Sequence, residues 1–142
     1  MNKTITIETR VKKDRYTVWN YWTKSEHIVA WAHATDDLEC AYAENNLRVG
    51  GKFLFRLAAK NKSVSFDFTG RYTHFDQPHA ISYTIDDGRA VTITFIETEG
   101  AVRIVETFEM EQEHTEEIQR AGWQRFLNNF TAYIEKSIQG VH

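Results

Sequence analysis

Cysteine and proline are almost absent from this chain. Cys40 is the one cysteine in 142 residues, so no internal disulfide can form, and the reading is a protein of a reducing compartment, the cytoplasm. One proline, Pro78, and seven glycines leave little material for a linker. A single domain over residues 1–142 is therefore expected, long enough for one sizeable core and too short for two. Long apolar runs are missing too. None approaches the ~18 residues of a membrane span, and Met1-Asn2-Lys3-Thr4-Ile5 has no signal-peptide core. An excess of positive charge is lacking as well. The net charge is −3 and the isoelectric point about 6.1, so no basic field favours nucleic acid.

Motifs for metals, phosphates and nucleophiles are also wanting. The six histidines are His27, His33, His74, His79, His114 and His142. None has the i, i+4 helical pairing of a zinc site, and Cys40 has no thiol partner, so neither metal nor cofactor is expected. Cys40 reads as a small core residue. Gly50-Gly51 is a turn, because no lysine-serine/threonine motif opens a helix after it. Ser63 and Ser65 lack the context of a nucleophile elbow. Asp36-Asp37 and Asp86-Asp87 are neighbours in sequence, and neighbours on a strand face opposite ways; both pairs read as turn formers.

What the chain does have is aromatic rings, 13% of its residues. Many fall on one helix predicted for residues 115–138. At about 100° per residue, Gly122, Trp123, Phe126, Leu127, Phe130, Tyr133 and Ile134 share a broad face; Arg120, Gln124, Asn128, Glu135 and Lys136 take the other. Thr115 suits the N-cap, Glu116 and Glu117 suit the first turn, and Gly140 suits the residue after the end. Gly122 inside the apolar stripe costs about 1 kcal/mol relative to alanine. That implies either close approach of another backbone or room for something bound.

The rest of the chain reads as strands. Residues 3–11 alternate, with Ile5, Ile7, Thr9 and Val11 inward. Asp14 caps a short helix to about Trp22, with Val18 and Trp22 inward, and a second helix spans about Ser25 to Trp31. A short strand is expected at Leu38–Tyr42. A meander comes next. Phe53, Phe55, Leu57 and Ala59 share a face, as do Val64, Phe66, Phe68 and Tyr72. A turn at Asn61-Lys62 places Phe55 beside Phe68 and Arg56 opposite Asp67. Pro78 punctuates the next turn. A three-residue loop, Asp87-Gly88-Arg89, keeps Ile81, Tyr83 and Ile85 on the same side as Val91, Ile93 and Phe95. Glu99-Gly100 leads into Val102, Ile104, Glu106, Phe108 and Met110. Helices at both ends of a meander make an α+β fold.

Glu106 breaks the inward apolar pattern. In idealised register its row crosses Ile93, then Tyr83, then Tyr72, subject to any bulge at Gly70. A buried carboxylate is costly without partners, so Glu106 must be hydrogen-bonded, near water, or facing a ligand. Trp31 and His33, after the short helices, are placed either to rim a cavity mouth or to plug the end of the core.

Several segments together resemble a known family. They are Val18-Trp19 with Trp22-Thr23, Glu26-His27-Ile28 with Trp31, and Arg48-Val49-Gly50-Gly51-Lys52-Phe53. They continue with Phe66-Asp67-Phe68-Thr69-Gly70-Arg71-Tyr72, Asp86-Asp87-Gly88-Arg89, Gly122-Trp123 and Phe126-Leu127-Asn128-Asn129-Phe130. In order and spacing they resemble START-like (SRPBCC) proteins homologous to the activator of the heat-shock protein 90 ATPase. The resemblance implies a helix-grip fold: a curved antiparallel sheet of six to seven strands wrapped around a long C-terminal helix, with two short helices after the first strand. It implies a cavity between sheet and helix, which superfamily members use for lipids, sterols, hormones or polyketide-like molecules, and some for catalysis. The group's name comes from a eukaryotic protein that carries a separate chaperone-binding domain, for which 142 residues leave no room.

Three readings result, in order of preference. The first is a carrier of a small hydrophobic or amphipathic molecule, touching Trp31, Phe55, Phe68, Tyr83, Trp123, Phe126 and Phe130, with Glu106, Tyr72 and His33 at its polar end. The second is a cyclase or hydrolase using Glu106 with Tyr83 or His33. The third is a stress-related protein that meets a chaperone through its surface. A monomer or weak homodimer is expected.

Overall fold

The computed structural model describes residues 3–33 and 37–139. Strand β1 (Thr4–Val11) is followed by helices α1 (Arg15–Thr23) and α2 (Ser25–Trp31). Six strands come next: β2 (Leu38–Asn45), β3 (Lys52–Ala59), β4 (Ser65–Asp76), β5 (Ala80–Ile85), β6 (Ala90–Thr98) and β7 (Ala101–Glu109). Helix α3 (Glu116–Gln139) closes the chain. The strands form one antiparallel sheet in the order β1-β7-β6-β5-β4-β3-β2, so the chain meanders across it and returns β1 to the far edge beside β7.

Local chemistry sets the ends of these elements. The Asp14 carboxylate accepts from the Thr17 backbone N–H at 3.0 Å, which starts α1. The Thr115 hydroxyl accepts from Ile118 N at 3.2 Å and starts α3. Glu116 and Glu117 occupy the first turn of α3 as expected. Gly140 lies outside the described residues.

The meander follows the alternation of its side chains. Phe55 stands opposite Phe68 and Arg56 opposite Asp67, the second pair joined at 2.9 Å on the exposed face. Four expectations need correction. First, the β5–β6 loop is Asp86-Asp87-Gly88, because Ile85 N bonds to Arg89 O at 2.9 Å. Second, the bulge in β4 falls at Thr73, between Tyr72 and His74, and not at Gly70. Gly70 is small for another reason: a Cβ there would lie 2.6 Å from both the Phe53 ring and the Thr84 carbonyl. Third, Val64 lies outside β4, which starts at Ser65, and is exposed; Phe66 keeps the inward face opposite Leu57 although its ring is partly open to solvent. Fourth, β2 runs on to Asn45.

The core lies on the concave side of the sheet, under α3. Leu127, Phe130 and Ile134 are fully buried there. On α1, Trp19 is the deeply buried ring, set edge-on to Phe95 at 5.6 Å, while Trp22 is half-buried. The polar side of α3 is not simply solvated. Arg120 Nη1 donates to Thr6 O at 2.8 Å and Gln124 Nε2 to Glu8 O at 3.0 Å. Glu135 accepts from Lys12 N at 3.2 Å. These side chains satisfy backbone groups along the otherwise unpaired edge of β1.

Candidate functional site

Because α3 lies along β1, it stands off from the opposite half of the curved sheet. The space left over β3–β5 is incompletely filled and forms a cavity of about 240 Å³. Its walls are rings. Phe53, Phe55 and Phe68 come from β3 and β4, Trp123 and Phe126 from α3, and Trp22 and Trp31 from the two short helices. The rings brace one another. Trp123 stacks on Phe108 with centroids 4.0 Å apart, and Phe53 meets Tyr83 edge-on at 4.9 Å.

Four polar side chains interrupt this apolar lining: Glu106, Tyr83, Tyr72 and Arg89. Glu106 is 4% exposed. Its strand neighbours are Ile7 on β1 and Ile93 on β6, so no sheet side chain beside it can donate a hydrogen bond. Desolvation alone raises its pKa to about 8, and the carboxyl is protonated at neutral pH. Its row continues to Ile81 rather than Tyr83, because the β5–β6 loop starts one residue earlier than expected. The shift of register is two residues, so the inward face is kept. Tyr83 stands one row over, beside Val91 and Tyr72. Burial, and next the nearby Glu106 carboxylate, push its phenol well above the ordinary range. Tyr72 is also raised by burial, and its hydroxyl donates to Asn45 Oδ1. Arg89 is held by Asp87 at 2.8 Å.

A family model for the Activator of Hsp90 ATPase homolog 1-like proteins matches residues 13–135. The chain belongs to this family. Among solved structures, the AHSA1-like protein from Aeromonas hydrophila is 36% identical with a TM-score of 0.92, over 99% of this chain and 97% of that one. A protein from Cytophaga hutchinsonii is 40% identical with a TM-score of 0.81, over 98% and 96%. A protein from Chromobacterium violaceum shares the fold at 21% identity and a TM-score of 0.83, over 93% and 96%. No curated protein matches the chain. The helix-grip arrangement expected from the sequence is thus the family's own fold.

Within this AHSA1-like domain, eight of the ten singled-out side chains line the cavity: Trp31, Phe55, Phe68, Tyr72, Tyr83, Glu106, Trp123 and Phe126. Two do not. Phe130 is fully buried behind Trp22 and Trp31, at centroid distances of 5.0 and 5.1 Å, and acts as core. His33 is not among the lining residues; the Asn129 amide of α3 donates to its carbonyl and lies 3.3 Å from its Nδ1. Cavity residues outside the ten include Arg89, Phe53 and Trp22. Phe53 was visible in the inward alternation of β3; Arg89 had no comparable signal, because a loop arginine ordinarily faces solvent.

Elsewhere, Cys40 is a buried thiol whose pKa is raised by burial. Glu111, Glu113 and His114 bring ligand-type atoms within 4.8 Å before α3. Two of them already engage each other, with His114 Nδ1 2.9 Å from Glu111 Oε2. Among the described residues, no helix is long and apolar enough to cross a membrane.

Proposed function

We propose that this domain binds a small hydrophobic or amphipathic molecule in the space between the sheet and α3. The observation that carries this reading is the ring-lined cavity with a buried carboxyl on its wall that has no hydrogen-bond donor among the described residues. Apolar walls with a few oriented polar groups are the usual composition of a small-molecule site. Titration with naphthalene tests it. Amide signals of Phe55, Phe68, Tyr83 and Phe126 are expected to move together and saturably. Shifts confined to Arg56 and Asp67 on the convex face would count against it.

A second reading, acid–base catalysis, is supported by a carboxyl that holds its proton near neutrality beside a phenol. Of the expected partners, Tyr83 shares the cavity lining with Glu106 and supports this reading better than His33, which is not among the lining residues. Turnover of an identified substrate that persists in Glu106→Gln would eliminate that role. Contact with a chaperone rests on the family's name alone, and a pull-down at physiological salt tests it.

A further inference from the structure

The chemical class of the guest can be narrowed, on the footing that the cavity is a binding site at all. Size comes first. An apolar cavity of ~150 Å³ holds one benzene ring, so the space here, about 240 Å³, suits one or two rings. Shape agrees, because the walls are themselves rings offering edges and faces to a flat guest.

The polar groups then set the chemistry of the guest. Glu106 on β7 and Tyr83 on β5 both face the cavity, on neighbouring rows with β6 between them, and the Glu106 carboxylate adds to burial in raising the phenol's pKa. Neither makes a side-chain hydrogen bond to a described residue, and both line the cavity. A protonated carboxyl and a phenol are both donors. Two unused donors in an apolar enclosure call for an acceptor oxygen. A carboxylate guest would have to shed its hydration in this enclosure, and the cation that could compensate, Arg89, is already paired with Asp87. We infer that the cavity takes an uncharged molecule of one or two rings bearing a carbonyl oxygen, with Glu106 as the donor to that oxygen.

Four probes sharing one ring system test this: naphthalene, acetylnaphthalene, naphthoate and aminomethylnaphthalene. Each is titrated into the whole chain and followed by amide shifts and calorimetry at about pH 6, two units below the Glu106 pKa of about 8. Acetylnaphthalene should bind at least about tenfold tighter than each of the other three, the worth of one good hydrogen bond. Its advantage over naphthalene should vanish in Glu106→Ala and largely persist in Glu106→Gln, whose amide still donates. Raising the pH through about 8 should erase the advantage in the wild type but not in Glu106→Gln. The titratable or charged groups sharing the cavity with Glu106 are Tyr83 on β5, Tyr72 on β4 and Arg89 at the β5–β6 loop; α3 lines it with Trp123 and Phe126, which do not titrate. Burial moves both phenols upward, away from this window. Tighter binding of naphthoate or aminomethylnaphthalene would overturn the inference. Equal binding of naphthalene and acetylnaphthalene would overturn it too, while leaving the binding reading intact. Failure of all four to bind would remove both.

Discussion

Glu106 stores a pH dependence that can be read without any ligand. Its folded pKa of about 8 lies above the value near 4.5 of a free glutamate, so between those limits the folded state holds a proton that the unfolded state has released. Stability therefore falls as pH rises through that window, by up to about 1.4 kcal/mol per unit from this group. Glu106→Gln should flatten that slope in urea melts from about pH 5 to 7.5 and be the more stable protein at the alkaline end. Gly122 gives a second prediction. A Cβ there meets nothing within 4 Å, which rules out close backbone approach as the reason for glycine. Gly122→Ala should stabilise α3 by up to about 1 kcal/mol, read as a raised melting temperature. At this scale the sequence showed which residues were unusual but not how deep they lay. Phe126 and Phe130 share a helical face, yet Phe126 reaches the cavity and Phe130 is sealed behind two tryptophans. Periodicity gives direction around a helix; depth depends on what stands opposite.

At the level of elements, alternation and caps carried most of the information. β1, the two short helices and the β3–β4 register all follow from polar and apolar spacing together with Asp14 and the Arg56–Asp67 pair. The β5–β6 loop did not, because Asp86-Asp87-Gly88 and Asp87-Gly88-Arg89 preserve the same inward face and differ only by a two-residue slide. They differ in which residues stand opposite one another, Ile93 meeting Ile81 in place of Tyr83, and alternation alone carries no signal of that. Gly70 illustrates a related limit. Its spacing was visible, but its reason is the neighbouring strands, where Phe53 and the Thr84 carbonyl fill the place of a side chain. The Thr84 carbonyl belongs to the backbone and cannot swing aside. Gly70→Ala should cost about 1–3 kcal/mol in denaturant unfolding, and a loss under about 0.5 kcal/mol would show that β4 slides freely.

For the molecule as a whole, the sequence implied a helix within a bent sheet but not where along the sheet it would rest. α3 sits toward β1, and the unfilled space is therefore displaced toward β3–β5. Filling that space should separate binding from folding. Phe126→Trp is expected to abolish naphthalene binding in an amide-shift titration while changing stability by less than about 1.5 kcal/mol.

The seam between α3 and β1 fixes where traffic into the interior can pass. Thr9 and Thr131 meet at 2.7 Å, next to the contacts of Arg120 and Gln124 with strand carbonyls. Swinging the helix outward would break that seam and bare a strand edge open to pairing with another chain. Phe66, a cavity-lining ring on β4 that is exposed to solvent, lies away from that seam, so entry past it would disturb none of it. Stapling the seam shut by Thr9→Cys with Thr131→Cys should accordingly leave the rates of guest uptake and release unchanged in stopped-flow measurements. A marked slowing would instead identify the helix as the moving gate.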